Sequence, residues 1–239
     1  MYKKILTALF AIVTTISFME AKDLNPKSLV KKQQNIITIS AFTANGDMDK
    51  LQIAFVNGLD AGLTINEIKE IIVHLYAYVG FPRSLNSQNL FMQIVEDRKK
   101  AGKKDIEGKV ASPKPKDYDT IEFGKKIRAK LAGLKEDYTG APYQIFSPIM
   151  DEYLLSHLFG DVFVRDVVDY KTRELVTISA LAAINDTAGQ LKFHIPASMN
   201  MGLTKEQLED FILVVDTKVG KNEAKIANEV LKEVLKTRK

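Results

Sequence analysis

Apolar residues recur along this chain at three- and four-residue steps, and they do so twice in nearly the same words. From Ile37 the chain reads Thr38-Ile39-Ser40-Ala41-Phe42, then Leu51, then Gly58-Leu59-Asp60-Ala61-Gly62-Leu63-Thr64 and Glu67-Ile68. From Val176 it reads Thr177-Ile178-Ser179-Ala180-Leu181, then Leu191, then Ser198-Met199-Asn200-Met201-Gly202-Leu203-Thr204 and Gln207-Leu208. The offset is 139 residues at the start and 140 from Leu51/Leu191 onward, which places one inserted residue near Ile184-Asn185. Such self-similarity makes one structural unit, present twice, the object to explain.

Each copy predicts helices throughout. In the first, Ile37, Ala41 and Ala44 share a face up to Asn45-Gly46, and Leu51, Phe55 and Leu59 follow four apart up to Gly62. Thr64-Ile65-Asn66-Glu67 has the form of a capping box, in which the Thr oxygen and the Glu carboxylate satisfy orphan amides at a helix start. Ile68, Ile71, Ile72, Leu75 and Val79 form the stripe of that helix, Gly80-Phe81-Pro82 ends it, and another runs through Leu85 and Phe91 towards Arg98. The second copy predicts helices over Leu175 to Ala183 and Leu191 to Met201. A second capping box at Thr204-Lys205-Glu206-Gln207 precedes the stripe Leu208, Phe211, Ile212, Val215 and Val219.

Between the copies, Ala101 to Asp117 is charged and carries Pro113 and Pro115, the pattern of a linker. Thr120 to Leu134 and Pro148 to Phe159 read as amphipathic helices, and Asp169 as the N-cap of the helix bearing Arg173 and Glu174. No stretch sustains a period of two, so the fold class is all-α. The predicted organisation is a first repeat over 22–100, a linker over 101–117 and a second repeat over 118–239.

The first twenty-one residues are set apart from the fold. Lys3-Lys4 precede an uncharged, mostly apolar run from Ile5 to Phe18, and Glu20-Ala21 offers a cleavage point. That build is a secretory signal, too short to span a bilayer as a helix of ~20 residues. It predicts an exported, periplasmic protein with no membrane attachment after cleavage, the alternative being an uncleaved N-terminal anchor.

Acids and bases are interspersed (net charge +4), with no basic stripe carrying interleaved aromatics, so nucleic acid is not the expected partner. There is no cysteine, which removes disulfides, thiolate metal sites and any cysteine nucleophile. The three histidines are well separated in sequence, and neither a metal site nor a cofactor is predicted.

Phe159-Gly160-Asp161-Val162-Phe163-Val164-Arg165, Asp169, Lys171-Thr172-Arg173 and Leu175-Val176-Thr177-Ile178, continued by Leu191, His194, Ala197, Asn200, Gly202, Leu203 and Thr204, resemble the helix pair of carboxymuconolactone decarboxylases. His74, Tyr78-Val79-Gly80-Phe81-Pro82 and Asn86 resemble that family's other signature. The resemblance implies a tandem member of the carboxymuconolactone decarboxylase / alkylhydroperoxidase D-like superfamily, two fused all-helical repeats. Because such units build rings, it also implies a homo-oligomer, a trimer of two-repeat chains. The hydroperoxidase branch uses a Cys-x-x-Cys pair, and Thr187-Ala188-Gly189-Gln190 stands here instead, so a cysteine-dependent peroxidase is excluded.

The decarboxylase-type signature is divided between the copies. The second keeps Arg165, Arg173 and His194 but has Asp216-Thr217-Lys218-Val219-Gly220 where the tyrosine motif would stand. The first keeps that motif, yet has Gln34 opposite Arg173 and Ala54 opposite His194. One composite pocket, half from each copy, would give this pattern; so would decay of two redundant halves. His194 is the candidate proton donor or acceptor, the alternative being a packed core histidine beside Leu191 and Ala197. Pro196 removes a helix donor two residues later, at a cost of ~3 kcal/mol. Arg173 and Arg165 suit a substrate carboxylate; the alternative for Arg173 is an ion pair with Asp169 or Asp166. Glu174 resembles the acid of the hydroperoxidase branch's Arg-Glu pair, which implies a proton relay with His194. At the opening of an apolar helix it reads as an acid with a pKa raised by desolvation, or as a favourable charge near a helix start. His74 and Tyr78, one turn apart, could orient a carboxylate or lactone carbonyl, whereas His157 reads as structural.

The function expected is a cofactor-free lyase acting on a small carboxylated lactone or oxo acid. The alternative is an exported ligand-binding or assembly protein that keeps the fold without catalysis.

Overall fold

A computed structural model describes residues 28–238, and the predicted signal segment lies outside them. Among the described residues all regular structure is helical. The first unit comprises α1 (Lys31–Asn45), α2 (Met48–Asp60) and α3 (Ile65–Lys100). The second comprises α7 (Tyr170–Ala183), α8 (Ala188–Asn200), α9 (Lys205–Val214), a π-helical stretch Val215–Val219 and α10 (Lys221–Thr237). Between them lie α4 (Thr120–Ala132), the short α5 (Pro142–Phe146) and α6 (Pro148–Tyr153), and a π-helical stretch Leu154–Val162.

The helix starts follow their caps. Thr64 Oγ1 accepts from Glu67 N (3.1 Å) while Thr64 N donates to Glu67 Oε2 (2.8 Å), and Thr204 and Gln207 repeat the exchange at α9. Asp169 caps α7 by accepting from Thr172 N at 2.8 Å. α3 is broken at Gly80, whose φ of 76° leaves the helical region before Pro82 restarts it. α8, in contrast, runs on through Pro196. The inserted residue of the second copy falls in the α7–α8 loop, where Asp186 takes a left-handed φ of 62°.

The two units are not separate globules. α1 lies along α7, α3 packs on α7, and α9 with its π-helical extension packs on α1, a reciprocal exchange of helices. One apolar core results, containing Ile37, Ile39, Phe55, Ile71 and Leu75 of the first copy with Val176, Ile178, Leu191, Leu208 and Phe211 of the second. Burying a side chain of this size contributes roughly 1.5–3 kcal/mol. Folding as one body therefore stabilises both halves.

The linker is pinned rather than loose. Its Ile106 and Glu107 carbonyls accept from Ile65 N and Asn66 N (both 2.9 Å), and Arg98 at the end of α3 holds Asp105 at 2.7 Å and Asp60 at 2.8 Å. Beyond it, α4 crosses the π-helical stretch so closely that a Cβ on Gly124 would collide with the Leu155 carbonyl oxygen. This pair forms a second apolar cluster with Phe159, Phe163 and Ala197, which also packs on Tyr78 and Phe193. It covers one end of the junction between the repeats.

Candidate functional site

Under that cover, α3 presents Glu70, His74 and Tyr78 at four-residue steps, one face of a helix. α7 brings Arg173, Glu174 and Thr177 against them, and α8 brings His194. Five of the six residues singled out from sequence thus meet in one buried cluster, built from both repeats, and the sixth, Arg165, reaches it from the edge.

Glu70 is the hub, and sequence reasoning missed it. Its carboxylate, 1% exposed, accepts from Arg173 Nη2 at 2.7 Å and from Arg165 Nε and Nη2 at 2.9 and 2.8 Å. Arg173 is wholly buried, whereas the Arg165 side chain is 39% exposed. The acids near Arg173 in sequence are occupied elsewhere: Asp169 caps α7 and Asp166 accepts from Ser112. The ion pair is therefore between repeats, not local. Burial lowers the Arg173 pKa, against the opposing effect of Glu70.

His74 has both ring nitrogens engaged. Arg173 Nη1 can only donate, so His74 Nδ1 accepts (3.3 Å) and Nε2 carries the proton, donating to Thr177 Oγ1 at 2.8 Å. The Thr177 hydroxyl donates in turn to the Arg173 carbonyl at 3.0 Å. Burial first, then the charges of Arg173 and His194, push the His74 pKa well below its ordinary value. His74 is thus a neutral strut between α3 and α7.

His194 and Glu174 form the second pair. His194 Nδ1 donates to Glu174 Oε2 at 2.9 Å, with Glu174 fully buried and His194 8% exposed at its side chain. That bond fixes the ring and leaves Nε2 for a reacting group. The Tyr78 ring stands edge-on to His194, centroids 6.0 Å apart. Burial, then the Glu174 charge, raise the Tyr78 pKa and keep its hydroxyl protonated. Three buried polar atoms without a hydrogen-bond partner belong to this cluster: Tyr78 Oη, Arg173 Nε and Glu174 Oε1. Buried polar groups are rarely left unmatched, and three together mark a place built for something else.

Phe163 closes the cluster, its ring 5.3 Å from that of His74 and under the Arg173 guanidinium. With Arg165 it also lines a surface cavity of about 470 Å³. His157 stands outside, half exposed and bonded to Asp161 at 3.1 Å. Among the described residues no three His, Asp or Glu side chains gather so as to hold a metal ion, and no helix is long and apolar enough to cross a membrane.

Comparison with known proteins agrees with this division into two. The carboxymuconolactone decarboxylase family matches the chain twice, at residues 8–91 and 148–233. The chain belongs to that family. A curated relative, the 4-carboxymuconolactone decarboxylase of Acinetobacter baylyi (strain ATCC 33305 / BD413 / ADP1), is 30% identical over 121 residues, half of this chain and 90% of the relative. One chain here therefore holds two decarboxylase-family repeats, and the cluster lies where they exchange helices.

Proposed function

We propose that the chain is a cofactor-free lyase that decarboxylates a small carboxylated lactone or oxo acid at the composite cluster. The observation that carries this reading is the buried Glu174–His194 pair beside the unpartnered Tyr78 hydroxyl. On decarboxylation the bond from carbon to the carboxylate breaks, its electron pair moves into the neighbouring carbonyl to form an enolate, and carbon dioxide leaves. Tyr78 Oη donates to the enolate oxygen as charge builds there, in a site shielded from water. His194 Nε2 returns a proton to carbon, and the Glu174 carboxylate steadies the imidazolium that supplies it. Glu70 orients Arg173 and Arg165, so a substrate carboxylate meets guanidinium groups already held in place.

The test is ultraviolet loss of 4-carboxymuconolactone with the purified chain, repeated with His194→Ala and Glu174→Gln. Turnover by the parent chain and its loss in both variants is the expected result. No turnover of this or related lactones and oxo acids by the parent chain would sink the reading.

A second reading, a non-catalytic ligand-binding or assembly protein, draws on Arg165 and Arg173 both being tied to Glu70. In either case we propose an exported, periplasmic chain that assembles as a trimer. Exposed Phe81, Ile145, Phe146 and Ile149 support the assembly, because apolar surface of that kind is usually covered.

A further inference from the structure

The exchange of helices is reciprocal, so the composite cluster has a twin at the other end of the junction. Applying the repeat offset, Gln34 and Asn35 of α1 take the places of Arg173 and Glu174, and Ala54 of α2 that of His194. From the second copy, Val214 stands for His74, Lys218 for Tyr78 and Asp210 for Glu70. The structure brings these residues together: all but Asp210 line one groove of about 800 Å³. Asp210 sits buried behind it, accepting from the backbone N–H groups of Ser28 and Leu29.

The twin differs from the first site in two physical respects. Two imidazoles and a phenol are gone, replaced by Ala54, Val214 and Lys218, so the volume filled by rings in one site is empty in the other. Where Tyr78 and Ala197 lie under α4 and the π-helical stretch, no described segment covers the groove, and Ile53, the counterpart of half-buried Phe193, is 61% exposed. No acid–base pair remains to move a proton.

The groove's charge is what it has gained. Lys31 and Lys218 stand around it, and Lys50 at its edge is paired with Asp47 at 2.8 Å. Half-buried Gln34, Asn35 and Thr38 each donate to a backbone carbonyl, and Phe42, Ile53 and Val214 form apolar walls. Asp60, the carboxylate on its rim, is held by Arg98 at 2.8 Å, which offsets its charge. We infer that this groove is a second, non-catalytic site for a small organic anion with an aromatic or apolar body, its carboxylate held by Lys31 and Lys218. The inference does not depend on the first site being an enzyme.

Isothermal titration of the full chain with 2-naphthoate tests it. The expected result is saturable binding that weakens about tenfold in the Lys31→Glu/Lys218→Glu variant and with added salt, and is unchanged in Tyr78→Phe. Both lysines are exposed, so an unchanged thermal midpoint certifies the variant as folded. No saturable binding by the parent chain, or equal affinity in the charge-reversed variant, overturns the inference. Loss of binding in Tyr78→Phe would assign the ligand to the first site and overturn it too. So would a change of oligomeric state in the lysine variant during sedimentation, which would make the groove a seat for a second copy.

Discussion

Replacing Glu70 with methionine tests the junction between the repeats where it is most exposed to error. Glu70 is the counter-charge of a fully buried Arg173 and of a partly exposed Arg165. Removing one partner of a buried ion pair costs about 3–5 kcal/mol, because the remaining charge stays out of water uncompensated. That range applies to Arg173; the Arg165 contribution is small, since its side chain can rehydrate. Glu70→Met is therefore expected to destabilise by about 3–5 kcal/mol, a fall of roughly 6–20 °C in thermal midpoint for a chain of this size. Arg173→Met should cost somewhat less, because Glu70 keeps Arg165. The double variant Glu70→Met/Arg173→Met replaces the pair by apolar volume and should lie within about 2 kcal/mol of the parent. Urea unfolding followed by circular dichroism on all four proteins closes the cycle. A cost below about 1 kcal/mol for Glu70→Met, or additive losses in the double variant, would refute a buried pair joining the repeats.

Three further outcomes follow from the same structure. His74 is held neutral by burial, so its folded pKa lies below the unfolded value of about 6.5; the unfolded chain then binds the extra proton, and stability should fall as pH drops below about 6.5 by up to about 1.4 kcal/mol per pH unit. His74→Gln, which can still accept from Arg173 and donate to Thr177, should flatten that slope in urea titrations between pH 5 and 7; an unchanged slope would place the acid sensitivity elsewhere. Gly124→Ala forces a Cβ against the Leu155 carbonyl and should cost about 1–3 kcal/mol by thermal melting, with parent-like stability contradicting the close crossing. Thr64→Ala, which opens one capping box, should cost about 1 kcal/mol, and a neutral result would mean the linker carbonyls alone hold the start of α3.

The helical course of the chain was legible where a start carries its own chemistry: Thr64 and Thr204 with their partners three residues on, Asp169 before α7, Gly80 before Pro82. The departures have steric or tertiary causes. Pro148 to Phe159 reads as one helix, but from Leu154 it widens into a π-helix where Gly124 and Gly160 let two backbones nearly touch. α5 is too short for periodicity to register. Of the site, His74, Tyr78, Arg173, Glu174 and His194 were located by resemblance to the signatures of the superfamily, and repeat comparison showed those signatures divided between the copies. Glu70 escaped notice because an acid among isoleucines on a helix reads as a solvated side chain until α7 is known to bury it. Its signal was the four-residue spacing Glu70-His74-Tyr78, three polar groups on one face. The acids near Arg173 in sequence misled for the opposite reason: proximity along the chain suggested Asp169 or Asp166, while packing supplied Glu70 from the other repeat.

Turnover of 4-carboxymuconolactone by Tyr78→Phe, measured beside His194→Ala, tests most directly whether one site draws on both repeats. Each change removes a group from a different copy, and losing a single donor to a developing oxyanion typically lowers turnover about 10²-fold or more. The account predicts that both variants lose activity while keeping the parent fold. Full turnover by Tyr78→Phe, with His194→Ala inactive, would contradict it.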